Sequence, residues 1–108
     1  MHDFTINEMQ DMQRTLQERY RHKWEPIGPA TGQNKLLWMI GEVGEVVDIV
    51  KKHGGEAACS DLTLRSALVE ELADVLMYYN DVLLCYGISA DELKERYTKK
   101  FERNMGRW

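Results

Sequence analysis

The 108-residue sequence predicts an all-α fold. Three observations carry that expectation. Apolar residues recur at three- and four-residue intervals along four segments, two of those segments open on helix-capping signatures, and no stretch alternates with the period of two that a strand requires. The architecture expected is a four-helix, bundle-like protomer that forms an obligate homo-oligomer, either a dimer or a dimer of dimers. The length is that of one domain covering 1–108.

Each element follows in chain order. Thr5-Ile6-Asn7-Glu8 is a capping box, and Ile6, Met9, Met12, Leu16 and Tyr20 trace an amphipathic helix ending near His22. Trp24 to Gly32 contains both prolines and two glycines and reads as a loop. A second helix is expected from Gln33 or Asn34 to the stop signal Gly54-Gly55, followed by a polar loop to Asp61. A third runs from about Leu62 or Thr63 to Gly87. Ser89-Ala90-Asp91-Glu92 opens a fourth, through about Asn104.

Helical projection assigns Leu36, Ile40, Val43, Val47 and Val50 to one face of the second helix. On the third, Leu68, Leu72, Leu76, Tyr79 and Leu83 form the expected core stripe. Both helices are apolar nearly all round, a pattern that calls for burial on more than one side. A short chain buries a small share of its surface, so a second copy is the natural partner. Trp38 and the methionines are expected in core or dimer contacts, and Asp48, Lys51 and Asp81 at the surface.

Composition narrows the function. A net charge of −4 with no basic stripe argues against a nucleic-acid surface. An acidic chain can hold a polyphosphate only if a cation mediates the contact. Cys59 and Cys85 have no metal or redox spacing, no signal-peptide pattern opens the chain, and no apolar run reaches membrane-spanning length. These features fit a cytoplasmic protein with reduced thiols and no membrane partner.

The chemistry is concentrated in two acidic pairs, Glu42-Val43-Gly44-Glu45 and Glu71-Leu72-Ala73-Asp74. Spacing of i, i+3 puts both carboxylates of a pair on one face, and antiparallel packing of the two helices would set the pairs opposite one another. Like charges about 4 Å apart repel by about 4 kcal/mol at an effective dielectric near 20. Such a cluster calls for a cation, and an all-oxygen ligand set selects Mg²⁺, with Mn²⁺ as a substitute. Acidic pairs at this spacing also decorate solvated helices, so spacing alone leaves both readings open. The histidines argue against a di-iron bundle: it uses Glu-x-x-His, and none of His2, His22 and His53 stands three residues after a glutamate in the second or third helix.

Gly41-Glu42-Val43-Gly44-Glu45, followed by Glu70-Glu71-Leu72-Ala73-Asp74-Val75-Leu76, resembles the signature of the MazG-type all-α nucleotide pyrophosphohydrolases. The resemblance extends from about Met12 to Trp108, and the Asn34-Lys35-Leu36-Leu37 lead-in is similar to the dCTP pyrophosphatase branch. It implies Mg²⁺-dependent hydrolysis of a (deoxy)nucleoside triphosphate to the monophosphate and pyrophosphate, as nucleotide-pool house-cleaning. It further implies Glu42, Glu45, Glu71 and Asp74 as metal ligands, with Glu45 and Glu71 catalytic and Glu45 the candidate base. Lys100, Asn104 and Arg107 resemble a triphosphate-contacting tail, Tyr78 and Asn34 resemble pocket-lining positions, and Trp24 resembles a loop aromatic that reaches the base. Two departures stand out: Gly41 replaces the first glutamate of the wider pattern, as in the dCTP branch, and Lys52 replaces an aromatic of that branch. Two alternatives remain. One is a non-catalytic metal- or nucleotide-binding helical module, and the other is a relative acting on phosphoribosyl nucleotides.

Overall fold

A computed structural model describes residues 2–107. Helix α1 spans Ile6–Arg19, α2 Gly32–His53, α3 Gly55–Ser60, α4 Leu62–Cys85 and α5 Ala90–Met105, with a single 3-10 turn at Pro29–Thr31. There is no strand among the described residues. The all-α expectation therefore holds, but with five helices in place of four.

The caps behave as their sequences require. Thr5 Oγ1 accepts from the Glu8 amide at 3.1 Å, and Glu8 Oε1 accepts from the Thr5 amide at 3.0 Å, closing the box. Asp61 and Ser89 each accept an amide of the first turn of α4 and α5. The first helix closes earlier than expected, at Arg19, with Tyr20 as its cap.

The additional helix lies where a polar loop was expected. Gly54, at φ +87° and ψ 153°, ends α2 in a conformation that side chains rarely adopt, and Gly55 begins α3 at once. Six residues are too few to hold a helix alone. Docking on α4 holds it, with Ala58 buried at its centre, a tertiary effect that local composition does not reveal.

Helix α4 is the hub: α1, α2 and α3 all pack on it, and α2 makes the most extensive contact. The pairing of α2 with α4 is antiparallel. Lys35 stands opposite Asp81, Trp38 opposite Tyr78, and Glu42 opposite Glu71 and Asp74. This pairing reverses the expected faces. Ile40, Val43, Val47 and Val50 are exposed, as are Leu72 and Leu76, while the acid-bearing side of α2 turns towards α4. Only Leu83 of the expected α4 stripe is fully buried. A helix that is apolar all round gives periodicity no means of choosing which side meets its neighbour.

The entry to α2 is tight. A Cβ on Gly32 would fall against the Tyr86 ring, 2.7 Å from Cε2, so the ring would have to shift. Gly32→Ala is expected to destabilise the fold by about 1–3 kcal/mol through overpacking, read by chemical denaturation. Gly32→Ala combined with Tyr86→Leu should recover most of the loss.

Candidate active site

Between α2 and α4 lies an open cleft of about 630 Å³, within the range of small-molecule sites. Its walls include Trp24 from the loop before α2, Trp38, Glu42 and Glu45 from α2, and Tyr78 and Asp81 from α4. The antiparallel register places these groups along one groove, two helical turns separating Lys35 from Glu42.

Glu42, Glu71 and Asp74 each bring a carboxylate oxygen to within 4.8 Å of the others. None of the three is fully exposed. Glu71 Oε2 is enclosed and has no hydrogen-bond partner. The Glu71 carboxyl is pushed above its ordinary value of 4.5, first by the Glu42 carboxyl close enough to share a proton, then by burial and by the charges of Glu42, Asp74 and Glu70. An enclosed, unpartnered carboxylate oxygen among like charges is what a hard cation would satisfy, so the donor set fits Mg²⁺ or Mn²⁺. Burial, followed by the charges of Glu42, Asp81 and Asp74, also raises the Tyr78 phenol above 10. Tyr78 therefore stays protonated at neutral pH and keeps a hydroxyl donor at the cleft.

At the far end of the cleft stands an ion pair. Lys35 Nζ lies 3.6 Å from Asp81 Oδ2, both side chains about 95% enclosed, and Gln13 Nε2 donates to Asp81 Oδ1 at 2.9 Å. The ammonium lies 5.1 Å from the Trp38 ring centre and 5.8 Å from that of Trp24. Trp24 stacks on Tyr20 and Trp38 tilts against Tyr78, so both indoles are braced.

Of the residues expected to act, Glu42, Glu71 and Asp74 come together; Glu42 lines the cleft, and so does Glu45, outside the three-acid cluster. Trp24 and Tyr78 line it too. Asn34 donates to both oxygens of Glu25, at 3.2 and 3.0 Å, and through Glu25 borders the cleft rather than lining it. Lys100 and Asn104 lie elsewhere, on a groove of α5 with Tyr97, Phe101 and Met105. Arg107 follows the end of that helix. Helix α5 has no extensive packing partner in the protomer, so its position relative to the cleft is not held by the contacts that hold the other residues.

One expectation needs correction: Asp81 is buried rather than at the surface. Trp38, expected in core or dimer contacts, is about half exposed in the protomer and lines the cleft. Sequence reasoning also passed over Lys35. The available signal was its spacing: a lysine seven residues before Glu42 shares that residue's face on a helix otherwise apolar around it.

The described residues thus form an all-α fold in which three carboxylates converge, one of them, Glu42, on the wall of a cleft that also carries Trp24, Trp38 and Tyr78. The MazG nucleotide pyrophosphohydrolase domain matches residues 30–105, more than half of the sequence, and the chain belongs to that family. No curated protein and no solved structure matches it. No helix among the described residues is long and apolar enough to cross a membrane.

Proposed function

We propose that the chain is a Mg²⁺-dependent hydrolase that converts a (deoxy)nucleoside triphosphate to its monophosphate and pyrophosphate, a house-cleaning enzyme of the cytoplasmic nucleotide pool. The observation that carries this reading is the convergence of Glu42, Glu71 and Asp74, with Glu42 on the wall of a cleft that Trp24, Trp38 and Tyr78 also line. The acids would hold the cation, and the indoles and Tyr78 would hold the nucleoside. A bound divalent cation supplies charge neutralisation between the acids and the polyphosphate.

The chain's own groups then have distinct tasks. Glu42, Glu71 and Asp74 would hold the cation, which would supply positive charge to the phosphates. Glu45 is the proposed base: it lines the cleft but stands outside the three-acid cluster, so its carboxylate is available to take a proton from water. In the balanced reaction a phosphoanhydride bond breaks, the water oxygen joins one product, and pyrophosphate leaves as the other. Trp24 and Trp38 offer flat apolar faces to the nucleoside. Lys100, Asn104 and Arg107 are proposed to reach the triphosphate in the assembled oligomer, since α5 is not packed against the cleft in one protomer.

Oligomerisation is part of the proposal. The chain exposes 8416 Å². A compact monomer of 12.6 kDa would expose about 6200 Å². The excess of about 2200 Å² suits an obligate interface. Among the described residues only Ala58, Val82, Leu83 and Cys85 are buried apolar side chains, too few to sustain a separate protomer.

The direct experiment is pyrophosphate detection over a panel of ribo- and deoxynucleoside triphosphates, with Mg²⁺ and with EDTA. Release from at least one nucleotide, lost on chelation, is expected. No release from any triphosphate with metal present would sink the reading. Tight nucleotide binding with no turnover would favour a non-catalytic binding module instead.

A further inference from the structure

We propose that Lys35, held by Asp81, is the residue that reads the nucleobase, selecting bases that present a keto oxygen at the edge farthest from the sugar. The inference rests on the cleft being a nucleotide site, and it names the substrate class within it.

The argument begins with an oddity of burial. An ion pair taken out of water is often no more stable than apolar residues of the same size, so its presence in a core is weak evidence for a stabilising role. Lys35 and Asp81 are each 3% exposed, yet both line the cleft rather than sitting behind it. Asp81 is the better satisfied partner, because Gln13 donates to its other oxygen at 2.9 Å. The ammonium has a single ion-pair contact, at 3.6 Å, which is long for a hydrogen bond. It offers three donors and no acceptor, so donors remain for an oxygen entering the cleft.

Position then selects the ligand atom. Lys35 and Glu42 share a face of α2 two turns apart, about 10 Å along the axis. A nucleotide with its phosphates towards Glu42 and its nucleoside along the Trp24 and Trp38 side of the cleft would extend towards Lys35. The group it brings to Lys35 is the substituent opposite the glycosidic bond: position 4 of a pyrimidine or position 6 of a purine. Uracil, thymine, guanine and hypoxanthine carry a carbonyl oxygen there, which the ammonium can bond. Cytosine and adenine carry an amine, which the ammonium cannot accept, while the neighbouring acceptor, Asp81, has one oxygen bonded by Gln13 and the other turned to Lys35. A buried donor left against another donor is the arrangement by which a polar site rejects the wrong ligand most strongly.

Trp24 and Trp38 provide a readout that does not depend on turnover. Quenching of tryptophan fluorescence by UMP, dTMP, GMP, CMP and AMP would be titrated on the wild-type protein, on Lys35→Arg, and on Lys35→Met combined with Asp81→Asn. The double change avoids leaving a buried charge alone and keeps an oxygen for Gln13, and thermal melting checks that it folds. We expect the keto nucleotides to bind at least about 10-fold more tightly than CMP and AMP in the wild type. Lys35→Arg should retain most of that preference, and the double variant should reduce it to within about 2-fold. Equal or tighter binding of CMP or AMP to the wild type overturns the proposal, whatever the variants do. So does an equal loss of affinity for all five nucleotides in the double variant, which would make Lys35 a phosphate or packing residue, and so does an absence of quenching by any of them. Keto-selective binding without pyrophosphate release would instead remove the hydrolase reading and leave this one standing.

Discussion

Glu71→Gln should abolish pyrophosphate release while making the metal-free protein more stable than the wild type at neutral pH. The loss of activity is expected to be at least about 100-fold, the scale on which removing a group that acts directly on the reaction is felt. The stability gain follows from the raised pKa of Glu71, whose carboxyl is crowded by Glu42 and enclosed by the fold. A carboxyl with a folded pKa above its unfolded value favours folding when protonated. Its contribution is fully present below 4.5 and is lost as pH rises through the raised folded value. Glutamine has no such proton to lose. The difference in melting temperature, variant minus wild type, should therefore be small near pH 4 and grow as pH rises to 7, measured without divalent cations. Adding Mg²⁺ should raise the wild-type midpoint and leave that of the variant nearly unmoved. A variant that melts below the metal-free wild type at pH 7 would show that the acids are not in conflict there. Asp74→Asn should act in the same direction on activity.

Val47→Glu should convert the proposed oligomer to monomer and remove most of its activity. Val47 is 54% exposed in the protomer and belongs to a stripe with Ile40, Val43 and Val50, while Leu72 and Leu76 are exposed on α4. Covering a valine contributes about 1.5–3 kcal/mol, and forcing an unpaired carboxylate into the same interface adds a desolvation cost of several kcal/mol. Light scattering at micromolar concentration should give a multiple of 12.6 kDa for the wild type and a value near 12.6 kDa, with a lowered melting temperature, for the variant. A stable wild-type mass near 12.6 kDa would contradict the proposed assembly. The same experiment bears on Lys100, Asn104 and Arg107, because their helix packs extensively against nothing in the protomer.

Much of this arrangement is local in origin and was legible from residues alone. The start of α1 is encoded in Thr5 and Glu8, the ends of α2 and α4 in glycines, and the acidic pairs in their i, i+3 spacing. These are short-range effects in which a cap or a repeat acts on residues one turn away. Helix α3 was not legible, because six residues acquire helical structure only through the surface of α4. The buried state of Asp81 was hidden for a similar reason: its partners, Lys35 and Gln13, lie on two other helices.

The sequence by itself determined the all-α class, most helix boundaries, the family and the acids that could form a site. Tertiary structure alone decided which side of α2 faces α4. Both sides carry enough apolar residues to be buried, so hydrophobic periodicity is degenerate, and the choice depends on which pairing also matches Lys35 to Asp81 and gathers Glu42, Glu71 and Asp74. That choice turns the acids inward to the cleft and leaves the aliphatic stripe outward. Charge pairing between sequence-distant residues has no periodic signature, so only the folded chain reveals it.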